Sequence, residues 1–224
     1  MTRIAIMQPY FVPYAGYFRL FAQADLFVIY DCVQFPRRGY VHRNQLPDHQ
    51  GRLQWLTLPL KPSPQTTPIC ALEFADDAVQ KLSISRRKFP CLERLPEPWE
   101  ALFSAAQGPL VPWLTSSLEM CSEALQLDCP TVLSSNLKVP SHHTGQDRII
   151  EICKTLGATG YLNAPGGRDM YAHEAFRKEG IELSFLPPYV GPGWSILFDL
   201  LTDEKSNAAA EVVKADNSLQ KVQI

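Results

Sequence analysis

Arg3–Met7 is a short run of apolar and β-branched residues halted by Gln8-Pro9, the pattern of a buried strand. After the proline-broken turn Gln8–Gly16, Tyr17–Ala24 sets Phe18, Leu20, Phe21 and Ala24 at helical spacing, and Leu26–Tyr30 is a second apolar run closed by Asp31. Strand, turn, helix and strand in such a short stretch form a βαβ unit, whose crossover makes the two strands parallel. Leu53–Leu60 alternates as a third strand. Ile69–Ala75 reads as another, and Asp76–Phe89 as a helix stopped by Pro90. Helices over Trp99–Gln107 and Pro112–Leu127 precede a strand over Pro130–Ser134. A helix over Gln146–Leu156 follows, with Thr144 as its cap and Gly157 as its stop. Gly160–Asn163 then reads as a strand, Arg168–Glu179 as a helix closed by Gly180, and Ile181–Leu186 as the last strand. The alternation predicts one α/β domain over residues 1–202, with a mainly parallel sheet, flanking helices and a helical insertion in the middle. Residues 203–224 lose the apolar pattern and are expected to form a partly disordered tail.

Composition narrows the class. With 224 residues and 46% hydrophobic content, the chain has the length and apolar fraction of a folded domain. It holds no apolar run near the roughly 20 residues of a membrane-spanning helix. Arg3–Met7 is also shorter than the core of about 7–15 residues that a secretory signal needs, so the expectation is a soluble cytoplasmic protein. Lys and Arg number 21 against 23 Asp and Glu, a net charge of −2. That balance lacks the bulk basic footprint of a general nucleic-acid binder, although a local basic patch can still take phosphate. The six cysteines contain no Cys-x-x-Cys pair and read as reduced, mostly buried thiols. His142 and His143 are adjacent, so on an extended chain they point opposite ways, and no metal site is expected there.

Four segments carry candidate chemistry. The turn Gln8-Pro9-Tyr10-Phe11-Val12-Pro13-Tyr14-Ala15-Gly16-Tyr17 lies past the carboxyl end of the first strand, where open α/β sheets bind ligands; a proline-rich turn with core aromatics explains the same residue types. Asp31–Asn44 gathers Asp31, Gln34, Arg37, Arg38, Tyr40, His42, Arg43 and Asn44 past the second strand, and arginine's planar fork suits phosphate or carboxylate. Two such guanidiniums on one loop, Arg38 and Arg43, call for an anion between them, or for Asp31 as an internal partner. Ser134-Ser135-Asn136 can bond a ligand hydroxyl or cap a turn. In Asn163–Arg168, Gly166 and Gly167 suit an anion nest at a helix start, or a plain turn that needs glycine.

These residues closely resemble the WbqC-like family of bacterial surface-polysaccharide and secondary-metabolite gene clusters. The resemblance is carried by Ile4–Phe18, Phe27–Asp31, Val33–Phe35, Arg38, Arg43 and Asn44. It continues through Trp55–Thr57, Ser134-Ser135, Arg148–Cys153, Leu156–Ala158, Tyr161, Gly166-Gly167, Phe176, Gly180-Ile181, Ser195–Leu197 and Asp199–Leu201. Tyr14-x-Gly16-Tyr17 is also similar to the His-x-Gly-His signature of the nucleotidyltransferase-like superfamily. The resemblance implies a Rossmann-like (nucleotidyltransferase-like) sheet and a transferase- or ligase-type enzyme. Such an enzyme would attach an amino-acid or acyl group to an amine of a sugar nucleotide or small metabolite, through an adenylate made from ATP with Mg2+. On that analogy Gln8, Tyr14 and Tyr17 hold nucleotide phosphates in a turn shaped by Pro9 and Gly16. Arg37, Arg38 and Arg43 neutralise phosphoryl charge, and Asp31, with Gln34, serves the amine. Tyr40, His42, Asn44, Ser134, Ser135, Gly166 and Gly167 supply the remaining contacts.

Two alternatives stand beside it. One is a transferase taking a preactivated donor, an aminoacyl-tRNA or acyl thioester, with Cys32 or His42 as the residue to watch; the net charge gives tRNA no support. The other is a non-catalytic module that binds a nucleotide sugar. A homodimer is compatible with all three, and a membrane partner with none. The chain departs from the family at Cys32, where members usually carry a second Asp, and over Cys91–Pro98.

Overall fold

Ile4, Ala5, Phe27 and Val28 have no exposed surface, so the first two strands are covered on both faces, as parallel strands under helices are. In the computed structural model, which describes residues 2–202 and Val212, β1 (Arg3–Met7) passes through α1 (Ala15–Gln23) to β2 (Leu26–Ile29). β1 and β2 are parallel, with Ile4 opposite Leu26 and Met7 opposite Ile29. β3 (Arg43–Pro47) and β4 (Leu53–Thr57) form a separate antiparallel hairpin. A helical stretch, α2 (Ala78–Arg86), α3 (Glu97–Ser104) and α4 (Leu110–Ala124), then leads to β5 (Thr131–Leu133). The chain closes through α5 (Gly145–Thr155), β6 (Gly160–Asn163), α6 (His173–Lys178), β7 (Glu182–Phe185) and α7 (Leu197–Leu201).

The main sheet has the order β5-β2-β1-β6-β7, with every pairing parallel. β1 is its centre, as the βαβ reading requires. The chain works outward on one side of β1 through β2 and β5, then returns to the other side for β6 and β7. Strand order therefore reverses between β1 and β6. One apolar layer packs Phe18, Phe21, Phe27 and Trp113 under α1 and α4, with Phe21 and Phe27 stacked at 4.1 Å. The opposite layer packs Ile4, Val28, Tyr161 and Phe176 under α5 and α6. Each such side chain is worth about 1.5–3 kcal/mol when fully buried.

Four local expectations change. Ile69–Ala75 is not a regular strand: Ile69–Ala71 is a 3₁₀ turn, docked by Ile69 N–H to the Val33 carbonyl and Cys70 N–H to the Asp31 carbonyl. Arg168–Glu179 is not one helix. Pro165–Met170 winds as 3₁₀, and α6 begins only at His173, because the Gln146 side-chain oxygen accepts from Ala172 N–H at 2.6 Å and fixes the break. Arg43 and Asn44 lie on β3 rather than in a loop. Thr144 occupies the cap position of α5 without a side-chain cap bond. Among the described residues no helix is long and apolar enough to cross a membrane. The expected tail, 203–224, lies outside the described residues except for Val212.

Candidate functional site

The turn after β1 is held in an unfavourable backbone conformation. Val12 has φ of +34°, a region that β-branched residues avoid. Its surroundings over-determine it. The buried Asn44 amide donates to the Phe11 and Val12 carbonyls at 3.0 and 2.7 Å, Ser195 Oγ donates to the Val12 carbonyl, and Phe11 N–H bonds the Tyr40 carbonyl at 2.8 Å. The Asn44 amide is therefore engaged as a clamp that positions the turn.

Beneath that turn, at the reversal between β1 and β6, lies a cleft of about 100 Å³. Met7, Tyr10, Tyr14, Arg19, Pro165 and Tyr189 are among the residues that line it. Gly16 forms part of the floor. A Cβ built there would lie 2.3 Å from Tyr14 Cε2 and 2.6 Å from Tyr189 Cγ, so only glycine lets the two rings close over the start of α1. Tyr17 is fully buried, and its hydroxyl donates to the Gln8 carbonyl at 2.9 Å; a phosphate would have to displace that bond. Burial raises the phenol pKa of Tyr10, Tyr14 and, most, Tyr17, so all three stay protonated donors at neutral pH.

Past β2, Asp31 is 1% exposed and fully engaged. One oxygen accepts from Ser134 Oγ and Ser135 N–H, both at 2.8 Å, and the other from Ser135 Oγ at 2.6 Å. The ends of β2 and β5 meet here in a clamp made by Asp31 with Ser134 and Ser135. Asp31 makes no ion pair with Arg38 or Arg43 among the described residues. Beside it, Cys32 Sγ accepts from Arg148 Nε at 3.3 Å and lies 3.1 Å from Ser134 Oγ, whose proton goes to Asp31. Arg148 has no carboxylate partner among the described residues, and its guanidinium meets the Cys32 sulfur instead.

The arginine segment spreads over the hairpin. The Arg37 guanidinium donates to the Ser63 carbonyl, and the Gln34 amide to the Gln65 carbonyl at 2.8 Å. Arg43 bonds the Arg38 and Gly39 carbonyls at 2.8 and 3.3 Å, and its guanidinium lies 4.3 Å from the Trp55 ring centre. Tyr40 and Trp55 are each 40% exposed, large for aromatic rings. With Tyr10 they form a stair from the cleft, with steps of 5.6 and 5.8 Å between ring centres. The exposed Arg38 guanidinium makes no hydrogen bond or ion pair among the described residues. His42 packs edge-on to Phe35, and burial, with Arg43 and Arg37 nearby, lowers its pKa to about 4; its Nδ1 is buried without a partner.

In the β6 loop, Gly167 N–H already bonds the Ala164 carbonyl at 3.1 Å, and a Cβ there would meet Asn163 Nδ2 at 2.4 Å. Gly166 is exposed, next to the cleft-lining Pro165. No group of three or more His, Cys, Asp or Glu residues that could hold a metal exists among the described residues. The Tyr17 hydroxyl, expected to hold a nucleotide phosphate, gives its proton to the Gln8 carbonyl, and both oxygens of Asp31, expected to serve the amine, accept from the Ser134-Ser135 turn. Sequence reasoning missed Arg19, Tyr189 and the cleft role of Tyr10. A charged residue inside the apolar helical stripe Tyr17–Ala24 was the signal for the first; Tyr189 sits in an irregular segment and gave none.

Similarity searches agree with this geometry in extent. The protein Rv1507c of Mycobacterium tuberculosis, itself uncharacterized, is 24% identical over 193 residues, covering 83% of this chain and 82% of that one. No solved structure matches. The sequence model of the WbqC-like protein family matches residues 8–197, from the first residue past β1 to the start of α7, and the chain belongs to that family.

Proposed function

We propose that this chain is a transferase- or ligase-type enzyme that joins an acyl or aminoacyl group to an amine of a sugar nucleotide or another small metabolite. The observation that carries the reading is the cleft at the strand-order reversal, with the aromatic stair leading out of it. Parallel sheets bind ligands at that reversal. Aromatic faces such as Tyr40 and Trp55 take sugar and base rings, and guanidiniums such as Arg38 take phosphate. A sugar nucleotide presents all of these groups, and the resemblance to a family of polysaccharide and secondary-metabolite clusters supports the reaction class.

Between the two routes, the Tyr17 hydroxyl already held by the Gln8 carbonyl favours a preactivated donor over an adenylate. In that route the amine attacks the donor's carbonyl carbon, the amide C–N bond forms, and the C–S or C–O bond breaks. The thiol or hydroxyl leaves with the proton that the amine gives up. The test incubates the protein with an amine-bearing sugar nucleotide and either an acyl-CoA series or ATP, Mg2+ and carboxylic acids. An amide with acyl-CoA and no pyrophosphate supports the favoured route, and pyrophosphate release supports the adenylate. Ligand-dependent quenching of Trp55 fluorescence without product supports the binding module. Neither quenching nor product overturns the reading.

A further inference from the structure

We propose that Arg19 is the receptor for an oxyanion of the ligand, a carboxylate or phosphate, entering the cleft between β1 and β6. The inference rests on the cleft being the ligand site, as read above, and names what is recognised there.

α1 is nine residues long, and Arg19 sits in the middle of it at 4% exposure. Arginine reaches such burial when its charge is paired and its N–H groups are bonded, because a desolvated charge is otherwise costly. Among the described residues the guanidinium makes one hydrogen bond, from Nη1 to the Pro187 carbonyl at 3.0 Å. Nε is buried with no partner. No carboxylate pairs with Arg19 among the described residues. The titratable groups that face it are the phenols of Tyr14 and Tyr189, which are neutral near pH 7. The protein has built a fixed positive charge into the wall of a cleft and left it without a counter-charge.

The geometry says what is absent. The Pro187 bond holds one end of the guanidinium and so orients it. The side carrying Nε and Nη2 makes no hydrogen bond among the described residues, and that side of a guanidinium grips a carboxylate or phosphate through two parallel N–H···O bonds. Met7, Leu20 and Leu186 make much of the surrounding wall apolar, which strengthens a charge pair formed inside. About 100 Å³ admits a head group rather than a whole nucleotide, so the remainder of the ligand extends outward, toward Tyr40 and Trp55.

Thermal melting and calorimetric titration with inorganic phosphate and with acetate, against sodium chloride at equal ionic strength, test this on the full chain. The parent should show a saturable rise in melting temperature with one of the two anions and not with chloride; which one responds identifies the group. Arg19→Met should weaken that anion at least tenfold, and Arg19→Lys should recover part of the loss, since a single ammonium lacks the fork. A parental response that Arg19→Met leaves intact overturns the inference. If Arg19→Met does not fold, the parent decides: no saturable response to either anion overturns it. An Arg19-dependent response in a protein that makes no amide leaves this inference standing and removes the proposed reaction. Amide formation unaffected by Arg19→Met removes the inference and keeps the reaction.

Discussion

Asp31 and Arg19 lie near the same carboxyl edge of one sheet, both ionisable and both almost wholly buried, yet the fold treats them oppositely. Asp31 receives three hydrogen bonds from Ser134 and Ser135 and fastens the end of β5 to the end of β2. Arg19 donates one bond, to Pro187, and keeps Nε bare. The difference teaches how to separate scaffold from site. A buried charge whose bonding capacity is saturated from within is holding the fold together. One left unsaturated beside a cleft is waiting for something from outside.

The sharpest way to break the comparison is at Asp31. Asp31→Ala strands the buried Ser134 hydroxyl and removes the carboxylate to which the N–H and hydroxyl of the exposed Ser135 donate. At about 1 kcal/mol for each lost bond it should cost about 3 kcal/mol in urea unfolding. A loss below about 1 kcal/mol would show that the Ser134–Ser135 turn holds itself.

A smaller effect is expected at His42, a third buried titratable group and a neutral one. Its pKa is about 4 when folded, against an ordinary value near 6.5, so the unfolded chain takes up the proton first as pH falls. The stability it contributes is complete above pH 6.5 and is lost progressively between 6.5 and 4. After discounting for its partial exposure, that loss is roughly 1–2 kcal/mol. Melting curves of His42→Phe across this window should be flatter than the parent's. Parallel curves would mean that the imidazole is solvated.

The hairpin arginines sharpen the contrast at lower amplitude. Arg43→Ala loses two carbonyl contacts and the Trp55 stack, so about 1 kcal/mol of stability should go, together with a shift in Trp55 emission. Arg38→Ala touches no bonded group, and its stability should stay within about 0.5 kcal/mol of the parent while sugar-nucleotide affinity falls several-fold. Equal effects from the two variants, on both stability and affinity, would erase the distinction between a bonded and a free guanidinium.

The fold was legible in the sequence wherever period and burial agreed. Arg3–Met7 and Gly160–Asn163 form strands with the predicted ends, because continuous apolar runs flanked by turn residues leave little choice of register. Legibility failed where a partner distant in sequence decided the conformation. Ile69 and Cys70 give up a strand to dock on Asp31 and Val33, and Gln146 breaks the helix expected over 168–179. Candidate chemistry followed the same division. The sequence placed Gln8–Tyr17, Asp31–Asn44 and Ser134-Ser135 past strand ends, and the structure joins them through Asn44 with Phe11 and Asp31 with Ser134, while Tyr17 closes its own turn on Gln8. Residue type alone did not reveal that Asp31, Asn44 and Tyr17 are engaged within the fold, nor that the buried charge without an ion-pair partner among the described residues is Arg19.

Equilibrium unfolding of unliganded Arg19→Met beside Asp31→Ala is the most direct measurement of the central claim, that the Arg19 charge is kept for a ligand and not for the fold. Replacing a buried, uncompensated charge by an apolar side chain of similar length should leave the protein as stable as the parent or more so, while Asp31→Ala loses several kcal/mol. A loss in Arg19→Met as large as that in Asp31→Ala would make the guanidinium a structural clamp on Pro187 and contradict the account.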